Sequence, residues 1–245
     1  MVRLGKVLFR YRNGLGPVLF VVALLLSRPR APFGDMDWKN ALEIAGALVA
    51  FAGQALRALT IGYDYIVRGG RNRQVYADRL VVGGIFAHCR NPMYTGNILI
   101  AVGIALVVNA YAFYLIVVPA ILLVYHAIVA AEEAYLREKF GGEYDDYARR
   151  VNRWWPRFAG FRATVSGHRF NWSRVVVKEY GTFLLLAGAL LVIHLWGIYS
   201  IEGAAALPSN AVIGGGALVW AALYLGIRQL KVSGYVTGDP PEPPT

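Results

Sequence analysis

The stretch AHCRNPMYTGN, residues 87 to 97, gathers His88, Cys89, Arg90, Asn91 and Tyr94 around Pro92, directly ahead of a long apolar run. Proline suits the first turn of a helix, where its missing N–H costs nothing, so free N–H groups are expected near Met93 and Tyr94. A helix start of this kind attracts a carboxylate or phosphate, and Arg90 adds a full positive charge beside it. The same residues also read as membrane-boundary anchors, Arg90 as a positive residue on the inner side and Tyr94 as an interfacial aromatic. A second group lies in EEAYLREKFGGEYDDYARRVNRWWP, residues 132 to 156, where Glu132 and Glu133 stand at the end of an apolar segment. Carboxylates there can stay ionised at the water boundary, whereas deeper burial would be costly, and the plainest reading is a solvated helix cap. Between residues 62 and 88 two Gly-Gly pairs and Arg68, Arg71, Arg73 and Arg79 form a basic strap suited to anionic lipid or an anionic part of a ligand.

Long apolar segments must position these groups. Of 245 residues 57% are hydrophobic and 16% charged, more apolar than a soluble domain requires. Runs near the length needed to cross a bilayer fall at about 14–27, 40–60, 92–108, 111–131, 180–199 and 211–228. The pattern predicts an all-α, polytopic membrane helical bundle of about six transmembrane helices, with spans three and four joined as a tight hairpin at Asn109 and Ala110. The first run is expected to be a retained span, because no small-residue cleavage site follows it.

Positive charges between the spans set orientation. With the N-terminus inside, inner segments hold 21 Lys and Arg residues and outer ones hold Arg28, Arg30 and Lys39. Both termini are therefore expected to be cytoplasmic, in the cytoplasmic (inner) membrane, with the motifs on that same face. The net charge of +10 follows this topology and not a nucleic-acid footprint, so no nucleic-acid partner is expected. The single Cys89 excludes an intramolecular disulfide and reads as filling space; no Cys/His cluster has metal-ligand spacing. Arg57 with Gln54 near the inner end of span two reads as a cleft pair, and His194 as structural. Glycines in GGGALVWAALYLG suggest that spans five and six form a closely packed hairpin. The tail GDPPEPPT reads as disordered.

Together, RNPMYTGN and the later pattern EExxLxxxFGxEYxxYxxxVxRxxP, Glu132 to Pro156, resemble the isoprenylcysteine carboxyl methyltransferase and phospholipid methyltransferase superfamily. The resemblance covers roughly residues 40–157. It implies a helical membrane enzyme that binds S-adenosylmethionine and methylates a lipophilic acceptor, a lipid or an isoprenylcysteine carboxylate-like molecule, among membrane lipids. By matching positions it implies a cofactor pocket lined by Arg90, Asn91, Tyr94, Gly96 and Asn97. Glu132 and Glu133 would lie near the cofactor amine or reacting centre, and Tyr144, Tyr147 and Arg150 would lie on a helix closing over the nucleotide. Glu133, Glu132 and Arg57 become the expected catalytic groups, and His88 an additional polar group of the cofactor site.

Two positions depart from the family pattern. Asn91 stands where the best-known motif RHPxYxG has histidine, and Ile128 stands where carboxyl methyltransferases carry an arginine, leaving Arg57 and His126 as polar substitutes. Competing readings are a sterol-type reductase using NADPH, which shares an RxPxY element, and a non-catalytic membrane scaffold. The expected organisation is an N-terminal helix and loop over 1–39, a methyltransferase core over 40–157, a linker and helical hairpin over 158–231, and a tail over 232–245.

Overall fold

A computed structural model describes residues 1–27, 29, 31, 34–64 and 75–236. The part of the basic strap that carries Arg68, Arg71 and Arg73 lies outside the described residues, as do Arg28, Arg30 and the tail from 237 onward. The described chain is all-helical: α1 (Val2–Leu26), α2 (Met36–Tyr63), α3 (Pro92–Val108), α4 (Val118–Phe140), α5 (Gly142–Arg150), α6 (Phe161–Gly167), α7 (Trp172–Glu202) and α8 (Asn210–Val232). A wider π-turn, Phe113–Val117, runs directly into α4.

Among the described residues, four helices are long and apolar enough to cross a membrane: α2, the continuous Phe113–Phe140, α7 and α8. A fifth arises if the two halves of α1, Val2–Arg12 and Gly14–Leu25, which meet at 78°, count as one span. The third expected span, α3, has 17 residues and covers about 25 Å, less than the roughly 30 Å of a hydrocarbon core. Its ends explain its length. Pro92 occupies the first turn, and Asn109 takes the left-handed conformation (φ 47°) that closes the helix before the α3–α4 turn.

Close backbone packing lies between α2 and α3. A Cβ on Gly53 would sit 2.5 Å from the Gly96 carbonyl oxygen, and one on Gly46 would sit 2.6 Å from that of Gly103. Two glycines seven residues apart on each helix thus face each other in antiparallel register, with Ala50 between them. The expected glycine contact in the last hairpin is not found: a Cβ on Gly214, Gly215, Gly216 or Gly226 would meet nothing within 4 Å. Instead, α8 leans on α7 through Trp220, whose indole lies over Gly188 and donates to the Leu184 carbonyl at 3.0 Å.

The apolar core fills the end where α3 meets α4, around Ala50, Val108, Phe113, Val117, Leu186 and Ile193, with Phe20 edge-on to Phe113 at 5.5 Å. Buried polar groups concentrate towards the other end, where α3 begins and α4 finishes.

Candidate functional site

Gly141 (φ 52°) ends α4 and lets α5 start at Gly142, so the chain doubles back beneath the start of α3. The segment after α5 is then stitched to the opening motif. Arg90 N–H donates to Asn152 O at 2.9 Å, Arg157 N–H to His88 O at 3.0 Å, Asn91 Nδ2 to Arg153 O at 3.1 Å and Thr95 Oγ1 to Trp154 O at 3.1 Å. Cys89 is fully buried with Sγ 3.3 Å from Trp154 O, and burial pushes its thiol up from its ordinary range, as suits a space-filling residue.

His88 belongs to this stitching. Its Nδ1 lies 2.6 Å from Arg157 O and its Nε2 2.8 Å from Thr164 Oγ1. A carbonyl only accepts, so Nδ1 carries the proton and a neutral ring accepts from Thr164 at Nε2. Phe161 packs edge-on against the ring at 5.4 Å. Both nitrogens are thus engaged, and His88 ties the motif loop to α6. Asn91 is tied down as well: its side-chain Nδ2 donates to the Arg153 carbonyl, and its backbone carbonyl accepts from Thr95 N–H at 3.0 Å.

Arg90 and Tyr94 point elsewhere, to the two glutamates. Glu133, 4% exposed, receives two hydrogen bonds from Arg153, Nε at 3.1 Å and Nη2 at 2.5 Å, and lies 3.6 Å from Arg90 Nη2. Glu132 accepts from Tyr94 O–H at 2.7 Å. Thus Glu133 has two guanidinium partners whereas Glu132 has a neutral one. Among the described residues, Arg90 Nε is buried without a hydrogen-bond partner, a charged donor left open beside this pair.

Deeper along α3 the polar residues continue. The Tyr94 ring lies 5.2 Å from that of Tyr125, and Asn97 Oδ1, one turn beyond Tyr94, accepts from Arg57 Nη1. Gly96 is a packing residue: a Cβ there would lie 2.7 Å from Arg57 Cγ, so its absence lets the arginine pass between α2 and α3. Arg57 Nε and Nη2 donate to Glu179 at 2.9 and 2.8 Å, and Gln54 Nε2 donates to the same carboxylate at 2.9 Å. The two-pronged geometry is the strong form of an arginine–carboxylate pair. His126, offered as a substitute beside Arg57, is instead exposed on the outer face of α4, whereas Ile128 is fully buried.

On α5, Tyr144 and Tyr147 are buried and lie 6.2 Å apart, ring to ring. Tyr147 O–H donates to Phe86 O at 2.8 Å, and Arg137 sits 5.4 Å over the Tyr144 ring. Burial, and then the Glu133 charge, pushes Tyr144 up to about 12, and burial raises Tyr147 further still. Tyr147 and Arg150 line a cavity of about 330 Å³ with Ala87, Val151 and Arg157. The sites expected from sequence therefore separate: Arg90, Tyr94, Glu132 and Glu133 form the mouth, Arg57 and Asn97 the deeper group, and His88, Asn91 and Gly96 hold the frame.

Residues 42–143 match the family model described as phospholipid methyltransferase. Over that stretch the protein is methyltransferase-like. The matched stretch contains the mouth residues, Arg57 and Asn97, but ends before Tyr144, Arg153 and Glu179. Two curated relatives are similar over more of the chain. The nickel-cobalt-cadmium resistance protein NccN of Alcaligenes xylosoxydans xylosoxydans is 29% identical over 164 residues, 65% of this chain and 71% of that protein. The cobalt-zinc-cadmium resistance protein CzcN of Cupriavidus metallidurans is 29% identical over 169 residues, 65% of this chain and 70% of that protein. No solved structure matches. Among the described residues no three His, Cys, Asp or Glu side chains gather as they would to hold a metal ion.

Sequence reasoning missed Arg153 and Glu179. Arg153 stood inside the second motif, yet nothing in its local pattern says that its guanidinium turns back 20 residues to Glu133. Glu179 had a legible signal: a carboxylate within the apolar helix α7 requires a partner, and Arg57 was the cation already suspected of sitting in a cleft.

Proposed function

We propose that the protein transfers a methyl group from S-adenosylmethionine to a lipophilic acceptor at the cytoplasmic face of the inner membrane. The observation that carries this reading is the mouth of α3: Arg90, with an open buried donor, stands just before α3, and Glu132 on α4 meets α3 through the neutral Tyr94 hydroxyl, with the Arg12 charge also acting on it. A cation and an anion so placed suit the carboxylate and ammonium of an amino-acid group, and the first N–H groups of α3 add to the carboxylate side. Glu133 serves the site by fixing Arg90 from one side and Arg153 from the other. The cavity beside Tyr147 and Arg150 suits the nucleoside portion.

When bound, the cofactor supplies an electrophilic methyl group on a sulfonium. The chain's task is then mainly positional. Tyr94 and Tyr125 offer electron-rich rings near the mouth, and Arg57 with Asn97, one turn further along α3 than Tyr94, is placed to orient an acceptor that arrives through the membrane. Glu132 is also the group placed to accept a proton if the acceptor is an amine. Modification of membrane lipid in a cell exposed to toxic metal would connect this chemistry to the resistance named for the two relatives.

Calorimetric titration of the purified protein with S-adenosylmethionine and with NADPH tests the reading. Saturable S-adenosylmethionine binding that weakens in Arg90→Ala is expected. NADPH binding in its place would turn the assignment to a reductase, and binding of neither would leave a scaffold.

A further inference from the structure

The Arg57–Glu179 pair joins the methyltransferase-like segment to a helix outside it. Residues 42–143 contribute Arg57, Gln54 and Asn97, whereas Glu179 comes from α7, 122 residues along the chain from Arg57. Glu179 is 2% exposed and Arg57 7% exposed, so both charges have left water together. Their depths agree: Arg57 lies six residues before the end of α2, Asn97 five after the start of α3 and Glu179 seven after the start of α7. At 1.5 Å per residue, they lie about 8–10 Å inside their helix ends, with Asn97 one turn further along α3 than Tyr94.

The hydrogen bonds fix Arg57 in one pose. Nε and Nη2 meet the carboxylate edge, which leaves Nη1 directed at Asn97 on the α3 face that also carries Tyr94. The same carboxylate orients Gln54. An ionised carboxylate only accepts, so Nε2 must face Glu179 and Oε1 must face away, and that Oε1 is buried without a partner among the described residues. Removing the negative charge would free both the guanidinium and the amide to turn.

We propose that Glu179 is a positioning residue for methyl transfer, acting through Arg57 and Asn97 on the acceptor's approach to the mouth, so that α7 belongs to the working unit. The inference rests on the methyltransferase reading above. A residue of this kind acts on the acceptor and the reacting geometry without contributing to cofactor affinity.

The experiment compares the unsubstituted full chain with Glu179→Gln, Glu179→Asp and Arg57→Lys in lipid–detergent micelles. Methyl transfer to extracted membrane lipid and S-adenosylmethionine affinity are measured side by side. Glu179→Gln is expected to lower kcat/KM for the acceptor by about tenfold or more with cofactor Kd held within about twofold, and Glu179→Asp to recover part of the loss. Should Glu179→Gln fail to fold, Arg57→Lys, which keeps the charge but loses the fork, is expected to show the same split. A folded Glu179→Gln or Arg57→Lys with unaltered kcat/KM, or one whose cofactor affinity falls in step with activity, overturns the inference while leaving the methyltransferase reading intact. An unsubstituted chain that transfers no methyl group overturns that reading, and this inference with it.

Discussion

Arg153 grips Glu133 with two guanidinium N–H groups across a separation of 20 residues, so the loop after α5 closes on the last turns of α4. This contact turns two sequence motifs into one structure, because the same loop carries the carbonyls that receive Asn91 and Thr95.

Arg153→Ala should leave Glu133 buried with Arg90 as its remaining cation at 3.6 Å. Breaking a fully buried pair costs about 3–5 kcal/mol; the Arg153 side chain is 38% exposed, so about 2 kcal/mol is expected here. Thermal unfolding in micelles should show a clear fall in Tm, and an unchanged Tm would remove the pair from the frame.

Gly53→Val should separate α2 from α3. Its Cβ would press against backbone at 2.5 Å, which no side-chain rotation relieves, so a loss of about 3 kcal/mol or more is expected. Gly215→Val on α8, where a Cβ meets nothing within 4 Å, should be close to neutral. Equal effects of the two substitutions in a thermal scan would contradict the packing described.

His88→Ala removes hydrogen bonds to Arg157 and Thr164 and should cost about 1–3 kcal/mol in stability. Cofactor affinity of the folded variant, measured by titration, should stay within about twofold, because both ring nitrogens are already engaged. A large loss of affinity without loss of stability would return His88 to the cofactor site.

Tyr144 gives a pH dependence of definite sign. Its folded pKa is pushed up to about 12 from an unfolded value of 10.0, so the folded state keeps its proton longer. The stabilisation is complete below pH 10 and is lost as pH rises towards about 12, where the unfolded chain has already released the proton. Tyr144→Phe should flatten that decline, read as stability against pH; an undiminished slope would place its origin elsewhere.

Much of this architecture could be read from sequence because bilayer length and helix punctuation are local. Pro92 opening α3, Asn109 closing it and Gly141 ending α4 all act within a turn of themselves. The motif residues resisted assignment for the opposite reason. His88 and Asn91 are settled by carbonyls more than sixty residues away, and Glu179 by an arginine on the far side of the family segment. Glycine on α8 and glycine on α2 look alike in sequence; only the facing helix distinguishes a contact from an open surface.

The most direct measurement is transfer of a labelled methyl group. The purified chain is incubated with methyl-labelled S-adenosylmethionine and a total membrane lipid extract, alongside Glu132→Gln. The account predicts label in the lipid fraction from the unsubstituted chain and at least about tenfold less from Glu132→Gln, whose charge is gone while its shape is kept. No label in lipid, or equal label from both proteins, would contradict it.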